Sequence, residues 1–179
     1  MNKRNTFDKG VEFYENKDYS RALDCFLKAA DAGNVKAMYN LGMMYNNGRG
    51  SGIDHSKALY WYQKAADKGD ASAMFSLGAM FDNEQNITKD KLQAIFWYDK
   101  AANEGDTKAM FNLARMYIER GGSEMDYQQA MKWFQKAADS GDAKAMLNLA
   151  DMYENGKGVP KDISQAVKWY EKAAVALQI

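Results

Sequence analysis

A strict period of 36 residues constrains this chain more than any other feature. One series of glycines, at the same place in four successive stretches, is Gly33, Gly69, Gly105 and Gly141. Alanine series that begin at Ala22, Ala29 and Ala37 keep the same interval, and no insertion or deletion breaks the register. Self-similarity at a fixed period of about 20–50 residues is typical of repeat proteins, in which each unit stacks on its neighbours.

Each repeat contains two stretches whose small and apolar residues recur at i, i+3, i+4 and i+7, which is one face of an α-helix. In the second repeat these residues are Met38, Leu41, Gly42 and Tyr45, then Ala58, Trp61, Tyr62 and Ala65. Glycine or alanine at the Gly42 position predicts a close crossing of the two helices. We therefore predict an all-α fold, a right-handed αα superhelix (solenoid) of about five helix–turn–helix repeats, as a single domain over residues 1–179. The repeats run approximately over residues 3–33, 34–69, 70–105, 106–141 and 142–179.

Residues that begin and end helices agree with this pattern. Each periodic glycine follows a helix, where a left-handed residue is expected. The residues directly after these glycines are typical N-caps of the next helix: Asn34, Asp70, Asp106 and Asp142. The second helices are predicted to begin with capping boxes at Asp90 with Gln93, Asp126 with Gln129, and Asp162 with Gln165. Asp54 is followed three residues later by Lys57, so only the cap is expected there.

The two ends differ from the middle. The first loop between paired helices, around residues 15–18, is four residues shorter than its counterparts. At the other end, Leu177 stands where the period requires a glycine, and no polar capping helix follows. Either the last helix caps the stack itself, or the natural protein is longer.

The pattern of the repeats is clearest in residues 37–45 (AMYNLGMMY), 48–50 (GRG) and 58–66 (ALYWYQKAA), and in residues 149–162 of the fifth repeat. On these residues the chain resembles the Sel-one-like repeat (SLR) of the tetratricopeptide-like superfamily over about residues 34–176. The shorter first repeat resembles an ordinary tetratricopeptide repeat. The resemblance implies a helical scaffold that is used in many unrelated processes. A cysteine-rich bacterial branch staples each helix pair with a disulfide and is credited with penicillin-binding or β-lactamase activity.

Composition excludes several functions. Lys and Arg together number 24, as do Asp and Glu, so the basic excess of a nucleic-acid binder or of a membrane-surface protein is missing. No apolar run approaches the ~20 residues of a membrane span, and the N-terminus has no run of signal-peptide length. We therefore expect a cytoplasmic protein that binds no nucleic acid and is not inserted in a membrane. The style of the repeats, by resemblance only, suggests a bacterium.

The sequence offers little for catalysis. His55 and Cys25 are the single histidine and the single cysteine, so neither a zinc site of nitrogen and sulfur ligands nor paired disulfides can form within the chain. His55 is interpreted as a helix-start residue and Cys25 as a core residue. No serine is followed three residues later by lysine, which the serine β-lactamases require. The glycine-rich residues 48–52 follow no strand, which argues against a phosphate loop. We predict no enzyme activity, no cofactor and no metal.

Positions that differ between repeats are not explained by stacking, and they indicate where a partner binds. First helices line the concave surface of stacked helix pairs, and residues one step past the core stripe turn about 100° away from it. One such position is occupied in turn by Met43, Ala79, Arg115 and Asp151. We call the full set the predicted groove residues: Phe7, Val11, Tyr14, Lys36, Tyr39, Asn40, Met43, Asn46, Phe75, Asp82, Lys108, Phe111, Asn112, Arg115, Ile118, Lys144, Asn148, Asp151 and Glu154.

Two sets of groove residues have two interpretations each. The aromatic residues at the Tyr39 position form the floor of the groove or pack between repeats. The asparagines at the Asn40 position bond helix to helix, or they grip a peptide main chain, as peptide-holding tetratricopeptide domains imply. An apolar anchor of the partner is expected near Val11 and Met43.

The predicted function is a scaffold or adaptor that binds a peptide or protein segment. The alternatives are a hydrolase of the penicillin-binding branch and a stack that self-associates through its apolar C-terminal end, residues 175–179.

Overall fold

The structure is a computed structural model that describes residues 5–83 and 89–178. These residues form ten α-helices and no strand. The helices are α1 Thr6–Glu15, α2 Tyr19–Asp31, α3 Val35–Asn47, α4 His55–Ala66, α5 Ala71–Asp82, α6 Lys91–Asn103, α7 Thr107–Arg120, α8 Glu124–Asp139, α9 Ala143–Asn155 and α10 Ile163–Leu177. The predicted all-α class and the ten helices are confirmed. The chain forms two compact units, Met1–Ala94 and Ile95–Ile179, with the boundary inside α6.

Two predictions about helix ends are confirmed: the N-caps of the first helices, and the left-handed glycines that follow the second helices. Asn34 accepts a hydrogen bond from the backbone N–H of Ala37 at 2.9 Å, and the three equivalent aspartates do the same at 2.8 Å. The periodic glycines adopt φ between +87° and +92°. A Cβ at Gly33 would meet nothing within 4 Å, so the left-handed backbone alone, and not a lack of space, favours glycine there.

Within a pair, the helices cross closely where the small residue was predicted. A Cβ placed on Gly42 would lie 2.5 Å from the ring of Tyr62 in α4. A Cβ on Gly10 would lie 2.7 Å from the ring of Phe26 in α2. In both pairs the second helix therefore lays an aromatic ring directly on the backbone of the first.

The first helices have a second buried face. In α3 this face is Ala37, Leu41 and Met44, which are spaced i, i+4 and i+7 and are fully buried. It lies about 100° around the helix from the face of Gly42, which contacts α4. The helix α3 packs on both α2 and α4, so both faces belong to the packed interior of the first unit. We call this pattern the Ala–Leu–Met stripe; it recurs in α5 as Ala73, Leu77 and Met80, and in α9 as Ala145, Leu149 and Met152.

The start of α8 corrects one prediction. Asp126 is not the N-cap, because α8 begins at Glu124 and its cap is Ser123, which forms a capping box with Asp126. The Asp126 carboxylate is buried, accepts from the Ser123 hydroxyl at 2.6 Å and pairs with Arg120 Nε at 3.0 Å. The Ser123 hydroxyl first, and then the Arg120 guanidinium, hold the pKa of this carboxyl below its usual value.

The other second helices begin where predicted. Asp54, Asp90 and Asp162 each accept from the backbone N–H three residues later, at 2.9, 3.1 and 3.0 Å. In these three helices the aspartate provides the cap. The capping boxes predicted at Asp90 and Asp162 are wrong, because the backbone N–H of each aspartate donates to the preceding helix, to Phe81 O at 3.0 Å and to Tyr153 O at 2.9 Å.

Candidate partner-binding surface

In the first unit, the predicted groove residues lie outside the buried faces of α1, α3 and α5. Lys36 is exposed, and the others are half-buried. The stripe residues at neighbouring positions are 0–2% exposed. The constant stripe positions of these helices are therefore buried, and the groove positions are accessible. The members in this unit are Phe7, Val11 and Tyr14 on α1, Lys36, Tyr39, Asn40, Met43 and Asn46 on α3, and Phe75 and Asp82 on α5.

The second unit shows the same division. Its groove residues are all at least partly accessible, while the equivalents of Leu41 and Met44 are buried. The members are Lys108, Phe111, Asn112, Arg115 and Ile118 on α7, and Lys144, Asn148, Asp151 and Glu154 on α9.

The aromatic groove residues pack on the second helix of their own pair. The ring centroids of Tyr39 and Tyr62 are 5.7 Å apart, and those of Phe111 and Phe134 are 5.6 Å apart. Phe7 packs on Phe26 at 5.7 Å in the same way. Each groove ring in these three pairs remains half-buried. They thus have an architectural role within a pair, and they keep an accessible edge that a partner could contact.

Two of the residues at the Asn40 position hydrogen-bond within their own helices. Ser76 holds this position in α5, and its hydroxyl donates to the carbonyl of Ser72 at 2.8 Å. The side chain of Asn148 in α9 likewise donates to the carbonyl of Lys144 at 2.8 Å. Both side chains thus satisfy a carbonyl one turn earlier in the same helix.

Several polar groove residues are held by the loops and second helices. Asn46 Oδ1 lies 3.2 Å from Nδ1 of His55, the first residue of α4. The Tyr170 hydroxyl donates to Glu154 Oε2 at 2.9 Å, and this bond raises the Tyr170 pKa. Tyr14 accepts a hydrogen bond from Arg49. These contacts fix the side chains of groove residues before any partner arrives.

The charged groove residues are accessible, and some have local partners. Arg115 forms an ion pair with Glu119 one turn away. Asp151 accepts from Asn155 at 2.8 Å and lies 3.4 Å from the Lys157 ammonium. Such exposed pairs contribute about 0–1 kcal/mol each and are easily exchanged for a charge on a partner.

The glycine-rich loop after α3 has a structural explanation. Arg49 lies over the rings of Tyr14 and Tyr19 at 5.4 and 5.6 Å. Gly50 has φ +81°, and a Cβ there would lie 2.5 Å from the Tyr19 carbonyl oxygen. The loop thus packs on the first helix pair, and Arg49, its one cationic residue, is held by the two tyrosine rings.

The residues considered for chemistry lie on different helices, Cys25 on α2 and His55 on α4. His55 begins α4 as predicted, whereas Cys25 is half-buried and not a core residue. Its short side chain lies beside Gly10, whose Cβ position is 3.2 Å away, and it leaves part of the site open. Among the described residues, no cluster of three or more His, Cys, Asp or Glu could hold a metal ion. None of the helices in residues 5–83 and 89–178 is both long and apolar enough to cross a membrane.

A cavity of about 580 Å³ in the second unit lies away from the groove residues. It is lined by Met146 of α9 and by residues of α10 that include Trp169, Lys172 and Val175. The Lys172 ammonium lies 4.0 Å from the centre of the Trp169 ring. Equivalent Trp–Lys pairs occur in α6 and α8, and the spacing i, i+3 could have predicted them from sequence.

Comparison with known families gives one match across nearly the whole chain. The family model described as Sel1 repeat matches residues 7–34, 35–70, 71–106, 107–142 and 143–174. Among curated proteins, none matches this chain.

Solved structures with similar folds include longer proteins. One is c5321, a protective antigen of uropathogenic Escherichia coli with an SLR fold, at 32% identity and a TM-score of 0.88. Another is a Sel1 repeat protein from Oxalobacter formigenes, at 34% identity and a TM-score of 0.82. Each match covers 95% of this chain, which spans 37% of the first protein and 69% of the second. Helicobacter pylori cysteine-rich protein B matches 69% of this chain, and 89% of its own length is covered, at 27% identity and a TM-score of 0.52.

Proposed function

The chain belongs to the Sel1 repeat family, and on that premise we propose that it is a scaffold whose groove residues hold a peptide or protein segment. Proteins of this family generally serve as scaffolds for protein–protein interaction. One observation carries the proposal. On the first helices, the positions that vary between repeats are accessible, while the constant Ala–Leu–Met stripe is buried. Variation at accessible positions changes what the surface recognises and leaves the packing intact.

The part of the groove in the first unit suits an apolar anchor. Val11, Tyr39 and Met43 are each half-buried and carry no charge. Methionine adapts its shape to an apolar side chain, and an aromatic ring offers a large contact area at little cost in conformational entropy. A partner side chain such as leucine or phenylalanine would therefore be accommodated beside Met43.

The part in the second unit suits a polar segment. Arg115, Asp151 and Glu154 present both signs of charge on α7 and α9. Their exchangeable local pairs favour selection of a partner by charge more than they favour tight binding. We propose that the groove residues of this unit select a segment by its charges, and that those of the first unit hold an apolar side chain.

We propose that the protein binds its partner and catalyses no reaction. The single cysteine prevents the paired disulfides of the cysteine-rich branch, and the missing Ser-x-x-Lys argues against its β-lactamase activity. The equal numbers of acidic and basic residues favour a protein partner over nucleic acid. We place this function in the cytoplasm.

The substitution Met43→Asp tests the placement of the groove. Partners are first captured from the native host with the wild-type chain, and their affinities are then measured by calorimetry. We expect Met43→Asp to weaken binding at least 10-fold, because a buried apolar anchor contributes more than about 1.4 kcal/mol.

Met125→Asp is the matched control for this test. Met125 is 68% exposed on α8, outside the groove, so the same substitution there should leave the affinity unchanged. Circular dichroism checks that both variants keep their helices. If wild type and Met43→Asp bind the partner with equal affinity, the groove residues around Met43 do not form the binding site.

A further inference from the structure

Two groove lysines of the second unit have no acidic side chain to balance them. Lys108 and Lys144 are the second residues of α7 and α9, and both are exposed. Within residues 5–83 and 89–178, neither lysine forms an ion pair with a carboxylate. Two positive charges are therefore available to a partner.

The two lysines lie at the same edge of the second unit. Residues 121–123 join α7 to α8, and residues 140–142 join α8 to α9. Because α8 packs on both neighbours through such short connections, successive helices run in opposite directions, and α7 and α9 run in the same direction. The starts of α7 and α9 therefore lie on the same side of the unit. We call Lys108 and Lys144 the lysine edge.

Charged groove residues farther along these helices already have partners of opposite sign. Arg115 forms an ion pair with Glu119, and Asp151 lies 3.4 Å from the Lys157 ammonium. Arg115 and Asp151 each follow a lysine of the edge by seven residues, which places them on the same side of their helices as that lysine. The groove of this unit thus keeps its unbalanced positive charge at the lysine edge.

The acidic caps next to the lysines do not neutralise them. Asp106 and Asp142 precede the two lysines by two residues, and each accepts a hydrogen bond from the backbone of its own helix at 2.8 Å. Two residues correspond to about 200° around a helix, so the caps and the lysines lie on opposite sides. A helix start favours negative charge, and the first turns of α7 and α9 contain no acidic residue. The lysines therefore do not stabilise their own helices.

The exposure of the lysine edge does not depend on where the chain ends. Lys36 holds the same position in α3, and both Lys36 and Lys108 are followed by further repeats. These two lysines are exposed, as Lys144 is. A further repeat packed after α10 would therefore leave Lys144 as accessible as its counterparts.

We infer that the lysine edge binds the carboxylates of a partner segment that is acidic at one end. The inference rests on the proposed function, and it specifies the sign of the charge that the segment carries and the end of the helices at which that charge lies. Each ammonium attracts a carboxylate, and a pair at an exposed position forms without burying either charge.

The far end of α9 limits how long the acidic part can be. Asp151 and Glu154 carry negative charge there, and Glu154 follows Lys144 by ten residues, or about 15 Å along the helix. A segment that runs along α9 covers this distance in about four to five extended residues. Carboxylates placed so far from the lysine edge would be repelled, so we expect the acidic residues to be flanked on one side by neutral or basic ones.

A random peptide library displayed on phage tests the inference. The library is selected against the wild-type chain, and the enriched consensus is synthesised with a fluorescent label and titrated by anisotropy. We expect Asp and Glu at one end of the consensus. Combining Lys108→Glu with Lys144→Glu should weaken binding at least about fivefold, because two exposed pairs are lost and repulsion replaces them. Combining Lys108→Arg with Lys144→Arg should keep the affinity within about twofold, since both charges remain.

The matched control combines Lys132→Glu with Lys168→Glu. These lysines are exposed on the second helices α8 and α10, outside the groove residues, and their reversal changes the net charge by the same amount. The control should alter the affinity less than about twofold. Added salt should weaken the wild-type complex but not the complex of the variant with a reversed lysine edge, because salt screens exposed charges. Circular dichroism checks that every variant keeps its helices.

Four outcomes would overturn the inference. They are a consensus without acidic residues, equal binding by wild type and the variant with a reversed lysine edge, equal weakening by the control, and failure to enrich any sequence. Failure to enrich any sequence would also count against the proposed function. If the enriched peptides lose binding in Met43→Asp and keep it when the lysine edge is reversed, the proposed function stands and the inference is wrong.

Discussion

Gly50 lies in the glycine-rich loop after α3, and Gly33 follows α2. The two glycines have the same backbone conformation, but we predict that substitution by alanine destabilises the chain more at Gly50. Gly33 has φ +87° and Gly50 has φ +81°, so both lie in the left-handed region. An alanine in that region costs about 1–2 kcal/mol. The gain from restricting the unfolded chain is about 0.4–1 kcal/mol and applies to both sites. Backbone strain alone therefore predicts nearly equal effects for Gly33→Ala and Gly50→Ala.

The surroundings of the two glycines are different. A Cβ at Gly33 would meet nothing within 4 Å, whereas a Cβ at Gly50 would lie 2.5 Å from the carbonyl oxygen of Tyr19. That oxygen belongs to the backbone at the start of α2 and cannot rotate away, so the loop must move. Overpacking of this kind costs about 1–3 kcal/mol. We expect Gly50→Ala to lose about 1–3 kcal/mol more of the free energy of unfolding than Gly33→Ala.

Thermal unfolding followed by circular dichroism at 222 nm measures the difference. For a chain of this size, 1 kcal/mol corresponds to about 2–4 °C in Tm, so the two variants should differ by about 2–12 °C. Gly158→Ala should resemble Gly50→Ala, since its Cβ would lie 2.8 Å from the backbone of Tyr127 at φ +72°. Equal melting temperatures for Gly33→Ala and Gly50→Ala would refute the claim that close approach to α2 requires this glycine.

Two further predictions concern side chains outside the groove surface. Arg49→Ala should destabilise the chain by about 1 kcal/mol, because the guanidinium lies over Tyr14 and Tyr19; Arg49→Lys should recover only part of this loss in urea titrations. Asp126→Asn should remove an acid-sensitive part of the stability, since the Ser123 hydroxyl and the Arg120 guanidinium hold the folded-state pKa of Asp126 below the usual value of an aspartate. This contribution is fully present above the unfolded pKa and is lost as the pH falls through the folded pKa, so acid titrations of Tm should fall less steeply in Asp126→Asn than in wild type below about pH 4. Parallel acid curves would contradict that role for Asp126.

The parts of the fold that follow from local rules were predictable from sequence. The caps at Asn34 and its equivalents depend on residues within one helical turn, and the 36-residue register and the small residue at Gly42 show directly as a repeated pattern. The start of α8 was not predictable in this way. Ser123 and Asp126 are both good caps, and Arg120 decides between them by pairing with Asp126 across the loop. Periodicity carries no information about such a contact.

In the candidate site, too, features fixed by spacing along a helix were predictable and contacts made by the loops were not. The accessibility of Met43 and Arg115 follows from their angle around the helix, which spacing fixes. The bonds of Asn46 to His55 and of Tyr14 to Arg49 depend on the course of the loops, and the period does not determine that course. The exposure of Tyr170 could not be predicted for another reason. Its residue type matches that of its buried counterparts, and only the structure shows that it is 39% exposed.

The Ala–Leu–Met stripe has a consequence for how genes of this kind change length. Because α5 and α9 carry the same stripe, and the second helices carry an aromatic ring and an alanine at matching places, joints between repeats are chemically interchangeable. Recombination that duplicates or removes 36 codons would recreate a matched joint at the splice. The first pair is an exception, because Lys9 and Glu12 replace leucine and methionine in α1. Recombination that placed this pair between two other repeats would bury those two charged side chains. The first helix pair is therefore not interchangeable with the others.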